Sequence, residues 1–225
     1  MKKLISIPLI CLLILISACS NSKLAAGTYY FDRTKYTVIA GSDGDRILPS
    51  TMDQLESRVR NLRSTSDEAV GVIALCEVAG ASINRIDTPE LNYNFSHVIT
   101  PIKLLNIIYK GEDVSLNEGD IKYCEENFVY VTEETPVELE RYGENAIISR
   151  EYDPMEVGKK YILYMFYNTD IPRYDHNGEQ ILFICALRES VYCISDDAPY
   201  QGENRTLYYD ELWQEVKAAY GELLN

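Results

Sequence analysis

The run Ala69-Val70-Gly71-Val72-Ile73-Ala74-Leu75-Cys76-Glu77-Val78 constrains the fold more than any other part of the chain. Its apolar residues fall at consecutive positions, so it is apolar on both faces until Glu77. Its Val and Ile side chains are stiff at χ1, which disfavours a helix. A bounded, β-branched apolar run of this length suits a central strand buried on both sides.

Other segments read as strands around it. Ser96 to Tyr109 is a second long apolar run, and Pro101 inside it cannot donate a ladder hydrogen bond, so a bulge or an edge is expected there. Gly119 to Glu125 and Phe128 to Val131 are shorter strands, and Tyr161 to Tyr167 is a strong one. Gln180 to Leu187 and Val191 to Ile194 read as a hairpin around Arg188-Glu189-Ser190. Upstream, Tyr29-Tyr30-Phe31 and Tyr36-Thr37-Val38-Ile39 are β-rich, and an acidic loop covers Glu133 to Asn145.

Two helices flank the strands. Met52, Leu55, Val59 and Leu62 recur at helical spacing within Ser50 to Arg63, with Thr51 and Gln54 placed for a capping box. At the other end, Leu212, Trp213, Val216, Ala219, Tyr220 and Leu223 form an apolar stripe from about Asp210 to Leu223, expected to pack on the strands.

The N-terminus carries an address. Met1-Lys2-Lys3 is positive, Leu4 to Ile16 is apolar, and Ser17-Ala18 precede Cys19. The apolar stretch is shorter than the ~20 residues a spanning helix needs. It has the form of a secretory signal with a small-residue cleavage site. Leu15 to Cys19 resembles the lipobox of bacterial lipoproteins. That resemblance implies cleavage before Cys19, a diacylglycerol on its thiol, and an extracytoplasmic, lipid-anchored protein. Two acyl chains suffice for stable anchoring.

The mature chain, Cys19 to Asn225, would have 207 residues, with 19 basic residues against 35 acidic and a net charge of −16. Such a chain is repelled by nucleic acid. Beyond Cys11 and Cys19, four cysteines remain: Cys76, Cys124, Cys185 and Cys193. An exported protein permits disulfides, and Cys185 with Cys193 could face each other across the expected hairpin; the reading preferred for each is a small buried apolar residue on a strand. The absence of a CxxC pair argues against a zinc knuckle or redox motif.

Four segments together resemble bacterial lipoproteins with an OB-like barrel: Asp67-Glu68-Ala69-Val70-Gly71-Val72-Ile73, Ile102 to Gly111, Glu118-Gly119-Asp120-Ile121, and Glu156-Val157-Gly158-Lys159-Lys160-Tyr161-Ile162-Leu163-Tyr164. Their order and spacing are similar to the barrel of tissue inhibitors of metalloproteinases and netrin-like modules. The resemblance implies a mainly β (α+β) fold: an OB-like five-stranded Greek-key barrel with added hairpins, an N-terminal helix and a C-terminal amphipathic helix. The expected divisions are a signal at 1–18, a tether at 19–27, a β/helix extension at 28–66, the barrel at 67–195 and a C-terminal helix at 196–225. Inhibition does not carry over. In those inhibitors a free N-terminal cysteine chelates the target zinc; here Cys19 would be lipidated, and no cysteine opens the barrel strand.

Motifs for chemistry are sparse. There is no His-Glu-x-x-His, no Gly-x-Ser-x-Gly and no phosphate loop. His97 and His176 are the two histidines, and nothing in the spacing pairs either with a cysteine. No metal or cofactor is expected. Tyr161, Tyr164 and Tyr167 on one strand are the candidates for a ligand face, although strands are rich in tyrosine for packing reasons too. The expectation is a non-catalytic binding module at the envelope, acting on protein or glycan. The alternative is an envelope hydrolase using carboxylate pairs such as Glu125-Glu126, Glu133-Glu134 or Asp196-Asp197.

Overall fold

A computed structural model describes residues 28–29, 37–40, 49–62, 69–86, 96–112, 114–126, 128–130, 146–149, 154–168, 175–176, 179–185, 190–199 and 208–225. The expected signal, the tether and Cys19 lie outside the described residues, as does the acidic segment 133–145.

In chain order the elements are β1 (Thr28–Tyr29), β2 (Thr37–Ala40), α1 (Met52–Arg60), β3 (Ala69–Val78), β4 (Ser82–Ile86), β5 (Ser96–Lys110), β6 (Ile121–Glu126) and β7 (Phe128–Tyr130). Then come β8 (Ala146–Ser149), β9 (Lys160–Asn168), β10 (Asp175–His176), β11 (Glu179–Gln180), β12 (Leu182–Ile184), β13 (Val191–Cys193) and α2 (Tyr209–Tyr220), which runs on as a 3-10 turn over Gly221–Leu224.

The apolar run that anchors the sequence is β3, at the centre of the sheet. It pairs antiparallel with β5 on one side and β9 on the other. β5 pairs antiparallel with β6, and β9 pairs antiparallel with β12. β12 and β6 then pair in parallel, Leu182 opposite Cys124, and the circuit closes. The result is a closed five-stranded barrel, mainly β and OB-like, in which the third strand (β6) and the fifth (β12) form the parallel closure. β1 extends the sheet through β4, β2–β8–β7 form a separate three-stranded sheet, and β10–β11 form a small antiparallel pair.

Alternation explains why β3 is apolar throughout. Val70, Val72, Ala74, Cys76 and Val78 point into the barrel with Ile102, Leu104, Leu163, Met165, Leu182 and Ile184. Ile73 and Leu75 point outward, where Leu55 and Val59 of α1 and Leu212, Trp213 and Val216 of α2 cover them. Both helices therefore lie on the outer side of β3 and β9. Gly71 allows the approach: a Cβ there would sit 2.0 Å from the carbonyl oxygen of Val59.

The helix termini follow from the sequence. Thr51 caps α1, its hydroxyl accepting the N–H of Gln54 at 3.3 Å. Gln54 reaches back to the N–H of Ser50 at 3.0 Å, one residue upstream of the cap. In α2 the buried stripe is narrower than expected. Tyr209, Leu212, Trp213 and Val216 are buried, while Ala219 and Leu223 are exposed. The Trp213 indole N–H donates to the carbonyl of Cys193 at 2.8 Å, tying α2 to the barrel. The Met52 N–H donates to Glu215 at 2.9 Å, joining the two helices.

Two of the resembling segments share a turn. Gly119 (φ 89°) and Gly158 (φ 81°) occupy the left-handed position that favours glycine, just before β6 and β9. The expected irregularity near Pro101 takes a particular form. One edge of β5 passes from β4 (Ile83 opposite Ile99) to β3 (Val78 opposite Ile102), and Pro101 lies at the handover, where no ladder donor is needed. The register shifts of β5 against β3 come further along.

One expectation is corrected. The segments read as a hairpin do not pair with each other. Leu182, Phe183 and Ile184 lie opposite Tyr167, Phe166 and Met165, and Val191, Tyr192 and Cys193 lie opposite Leu163, Ile162 and Tyr161. β12 and β13 thus run in line along the same edge of β9. Both run antiparallel to β9 and in the same direction, which turn-forming residues between two strands do not reveal.

Candidate functional site

The three tyrosines of β9 do not form a face. Successive strand residues alternate sides, so a spacing of three puts Tyr164 opposite to Tyr161 and Tyr167. Tyr161 points into the barrel and is buried, its hydroxyl accepting the N–H of Glu156 at 2.8 Å. Tyr167 packs half-buried against the same interior. Tyr164 is fully buried under the helices, edge-on to Tyr192 with ring centroids 6.0 Å apart. These are packing tyrosines, which corrects the expected ligand face.

Cys185 and Cys193 are both free thiols. Cys185 donates its N–H to the carbonyl of Tyr164, while Cys193 lies opposite Tyr161, about 10 Å further along β9 at ~3.3 Å per residue. Cys185 packs under the helices and Cys193 against the barrel interior, so the sheet separates them and a disulfide is excluded. Burial pushes the Cys185 thiol up to about 12. Cys76 and Cys124 are buried in the barrel, their thiols likewise raised by burial.

The carboxylate pairs fare similarly. Glu125 and Glu126 are neighbours on β6 and so point to opposite sides of the sheet. Asp196 accepts from Lys159 Nζ at 3.0 Å in a partly exposed ion pair, and Asp197 is exposed. Glu133 and Glu134 lie outside the described residues. His97 and His176 fall on β5 and β10.

Two arrangements that the sequence did not single out stand out instead. The first is the outer side of β5 and β6. Thr100, Ile102, Cys124 and Glu126 are buried and turn inward, which leaves Pro101, Lys103, Ile121, Tyr123 and Glu125 facing out. Pro101 lies opposite Tyr123, and Lys103 opposite Ile121. Ile121 is 56 % exposed, the most exposed large hydrophobic among the described residues. This is the second-and-third-strand face, on which OB barrels take oligonucleotides and oligosaccharides.

The second is a polar cluster inside the barrel. Glu126 is 2 % exposed, Thr100 fully buried and Ser82 4 % exposed. The Thr100 hydroxyl is hydrogen-bonded to Glu126 Oε1, and Ser82 Oγ lies 2.8 Å from Thr100 Oγ1. The N–H of Met155 donates to Glu126 Oε2 at 3.3 Å. Burial drives the Glu126 carboxyl up to about 8, against the opposing pull of the Thr100 and Met155 hydrogen bonds.

The described residues contain no group of His, Cys, Asp and Glu arranged to hold a metal ion. Among them, no helix is long and apolar enough to cross a membrane. Compared with protein-family models, curated proteins and solved structures, the chain finds no significant match.

Proposed function

We propose that this protein is a lipid-anchored, extracytoplasmic binding module that docks an envelope protein on the outer face of β5 and β6. The observation that carries the reading is Ile121, an aliphatic side chain 56 % exposed on the face where OB barrels take their ligands. Pro101 and Tyr123 adjoin it, and Lys103 supplies a cation at its border. An apolar centre with a charged rim is the make-up of a protein interface. The anchor rests on Ser17-Ala18-Cys19, whose lipid would hold the barrel at the membrane surface. A net charge of −16 for the mature chain favours a neutral or basic partner and disfavours nucleic acid. A glycan is the second class of ligand for this face, through Tyr123.

Cross-linking on intact cells followed by mass spectrometry tests the proposal. A partner recovered with the wild type and lost with Ile121→Asp supports it, provided the variant keeps the wild-type unfolding midpoint. Equal recovery with both chains overturns it. Recovery that resists protease but is lost on deglycosylation replaces the protein ligand with a glycan.

A further inference from the structure

The Glu126 cluster is buried beneath the proposed docking face and plays no part in it. We propose that Glu126 is a proton-operated latch: as the neutral acid it ties β5, β6 and the segment before β9 together, and loss of its proton to solvent loosens that end of the barrel.

Glu126 is the last residue of β6, and its two oxygens engage different parts of the chain. Oε1 meets Thr100 of β5, which in turn meets Ser82 of β4. Oε2 meets the backbone of Met155, five residues before β9. The Met155 N–H can only donate, so Oε2 must accept. The proton of the neutral acid therefore sits on Oε1 and points at Thr100 Oγ1, whose own hydroxyl is then passed to Ser82. Removing the proton reverses this relay, with Ser82 donating to Thr100 and Thr100 to the carboxylate.

A counter-charge is what the described side chains around it do not supply. From β9 the titratable neighbour is the Tyr161 phenol, and from β6 itself the Cys124 thiol. Both are acids that burial keeps protonated, and Glu126 raises each of them further. Among the described side chains, β4 and β5 contribute hydroxyls, and the 154–156 segment contributes an amide and Glu156, which is paired with Lys159 at 3.0 Å. Lys122, four residues back on β6, is roughly 13 Å away at ~3.3 Å per residue. Among the described residues, no cation contributes to the field at Glu126. With no cation beside it among the described side chains, an ionised Glu126 would be a buried charge held by hydrogen bonds alone, and opening of the barrel end to hydrate it is the expected response.

The sign of the pH dependence follows. The folded carboxyl ionises near 8 and the unfolded one near 4.5. The stabilisation is fully present below about 4.5, falls as the unfolded chain ionises, and is gone once pH has risen through about 8.

The test is a pH series of denaturant unfolding on the purified full chain in detergent, wild type against Glu126→Gln, which keeps the shape and stays neutral. Between about pH 5 and 8 the folding constant of the wild type should drop by about tenfold per pH unit relative to the variant, and the two should run parallel outside that window. In parallel, the Glu126 carboxyl carbon, followed by NMR in the wild type, should titrate near 8. Thr100→Val removes a bond that favours the ionised form, so it should move that midpoint upward. A carboxyl carbon titrating in the ordinary carboxylate range overturns the latch. So does a downward shift in Thr100→Val, or a Glu126→Gln curve that tracks the wild type. If Glu126→Gln does not fold, the wild-type and Thr100→Val titrations decide alone.

Discussion

Replacing Gly71 by alanine probes the contact on which the helical cover depends. The added Cβ would lie 2.0 Å from the carbonyl oxygen of Val59 and 2.8 Å from both its carbonyl carbon and Cγ1. Non-bonded heavy atoms settle at about 3.5–4.0 Å, so one backbone must retreat by more than about 1 Å. β3 cannot retreat, because Gly71 is in register with Phe166 on β9. α1 must lift, and Leu55 and Val59, each at most 1 % exposed, lose part of their contact with the sheet. Overpacking costs about 1–3 kcal/mol, and full exposure of either side chain would cost about 1.5–3 kcal/mol more. A loss of about 3 kcal/mol is expected, a fall in Tm of roughly 6–12 °C for a chain of this size. The assay is denaturant and thermal unfolding of Gly71→Ala. Gly80→Ala is the control, where the nearest atom is the tip of the Pro101 ring at 3.3 Å. Because the obstacle is a backbone oxygen, Val59→Ala should not rescue the variant. A loss below about 1 kcal/mol, the size of an isosteric swap, or a rescue by Val59→Ala would refute this account of the contact.

Three further outcomes follow from the packing. Trp213→Ala should cost about 3–5 kcal/mol in urea unfolding, since the ring is 2 % exposed and its N–H ties α2 to the Cys193 carbonyl. Tyr164→Phe should be neutral or raise stability by about 1 kcal/mol, because the buried Tyr164 hydroxyl has no hydrogen-bond partner among the described residues; a clear loss in calorimetry would contradict this. Alkylation of the native protein near pH 8, read by peptide mapping, should modify half-buried Cys193 first and spare Cys76, Cys124 and Cys185. A mapped Cys185–Cys193 disulfide would contradict the strand arrangement.

How much of this was legible in the sequence depends on which signal each element rests on. β3 was legible because ten residues with almost no polar break can only be buried on both sides. The α1 terminus was legible because Thr51 and Gln54 answer a local need of the helix backbone. The barrel came through as four segments in order, two of them marked by glycines at positive φ before β6 and β9. What failed was spatial. Tyr161, Tyr164 and Tyr167 looked grouped, but a strand repeats every two residues and a spacing of three divides them between sides. β12 and β13 looked like a hairpin because turn-forming residues between two strands do not say whether the chain reverses there. Glu126 was hidden among acidic neighbours. Its role arises from Thr100 and Ser82, 26 residues from Glu126 and 18 from Thr100 respectively, which only the β4–β5–β6 register brings together. The proposed docking face was hidden because Ile121-Lys122-Tyr123-Cys124 does not alternate cleanly, and the closed barrel decides which residues turn outward.

The central claim is that β5 and β6 present the docking face, and a photo-cross-linker scan tests it most directly. The reactive residue is placed in turn at Lys103 and Ile121 on that face, and at Glu211 and Gln214 on the exposed side of α2. Cells carrying each variant are irradiated. Adducts of one common mass from positions 103 and 121, with none from 211 and 214, are the predicted result. Adducts confined to the α2 positions, or equal at all four, would contradict the account.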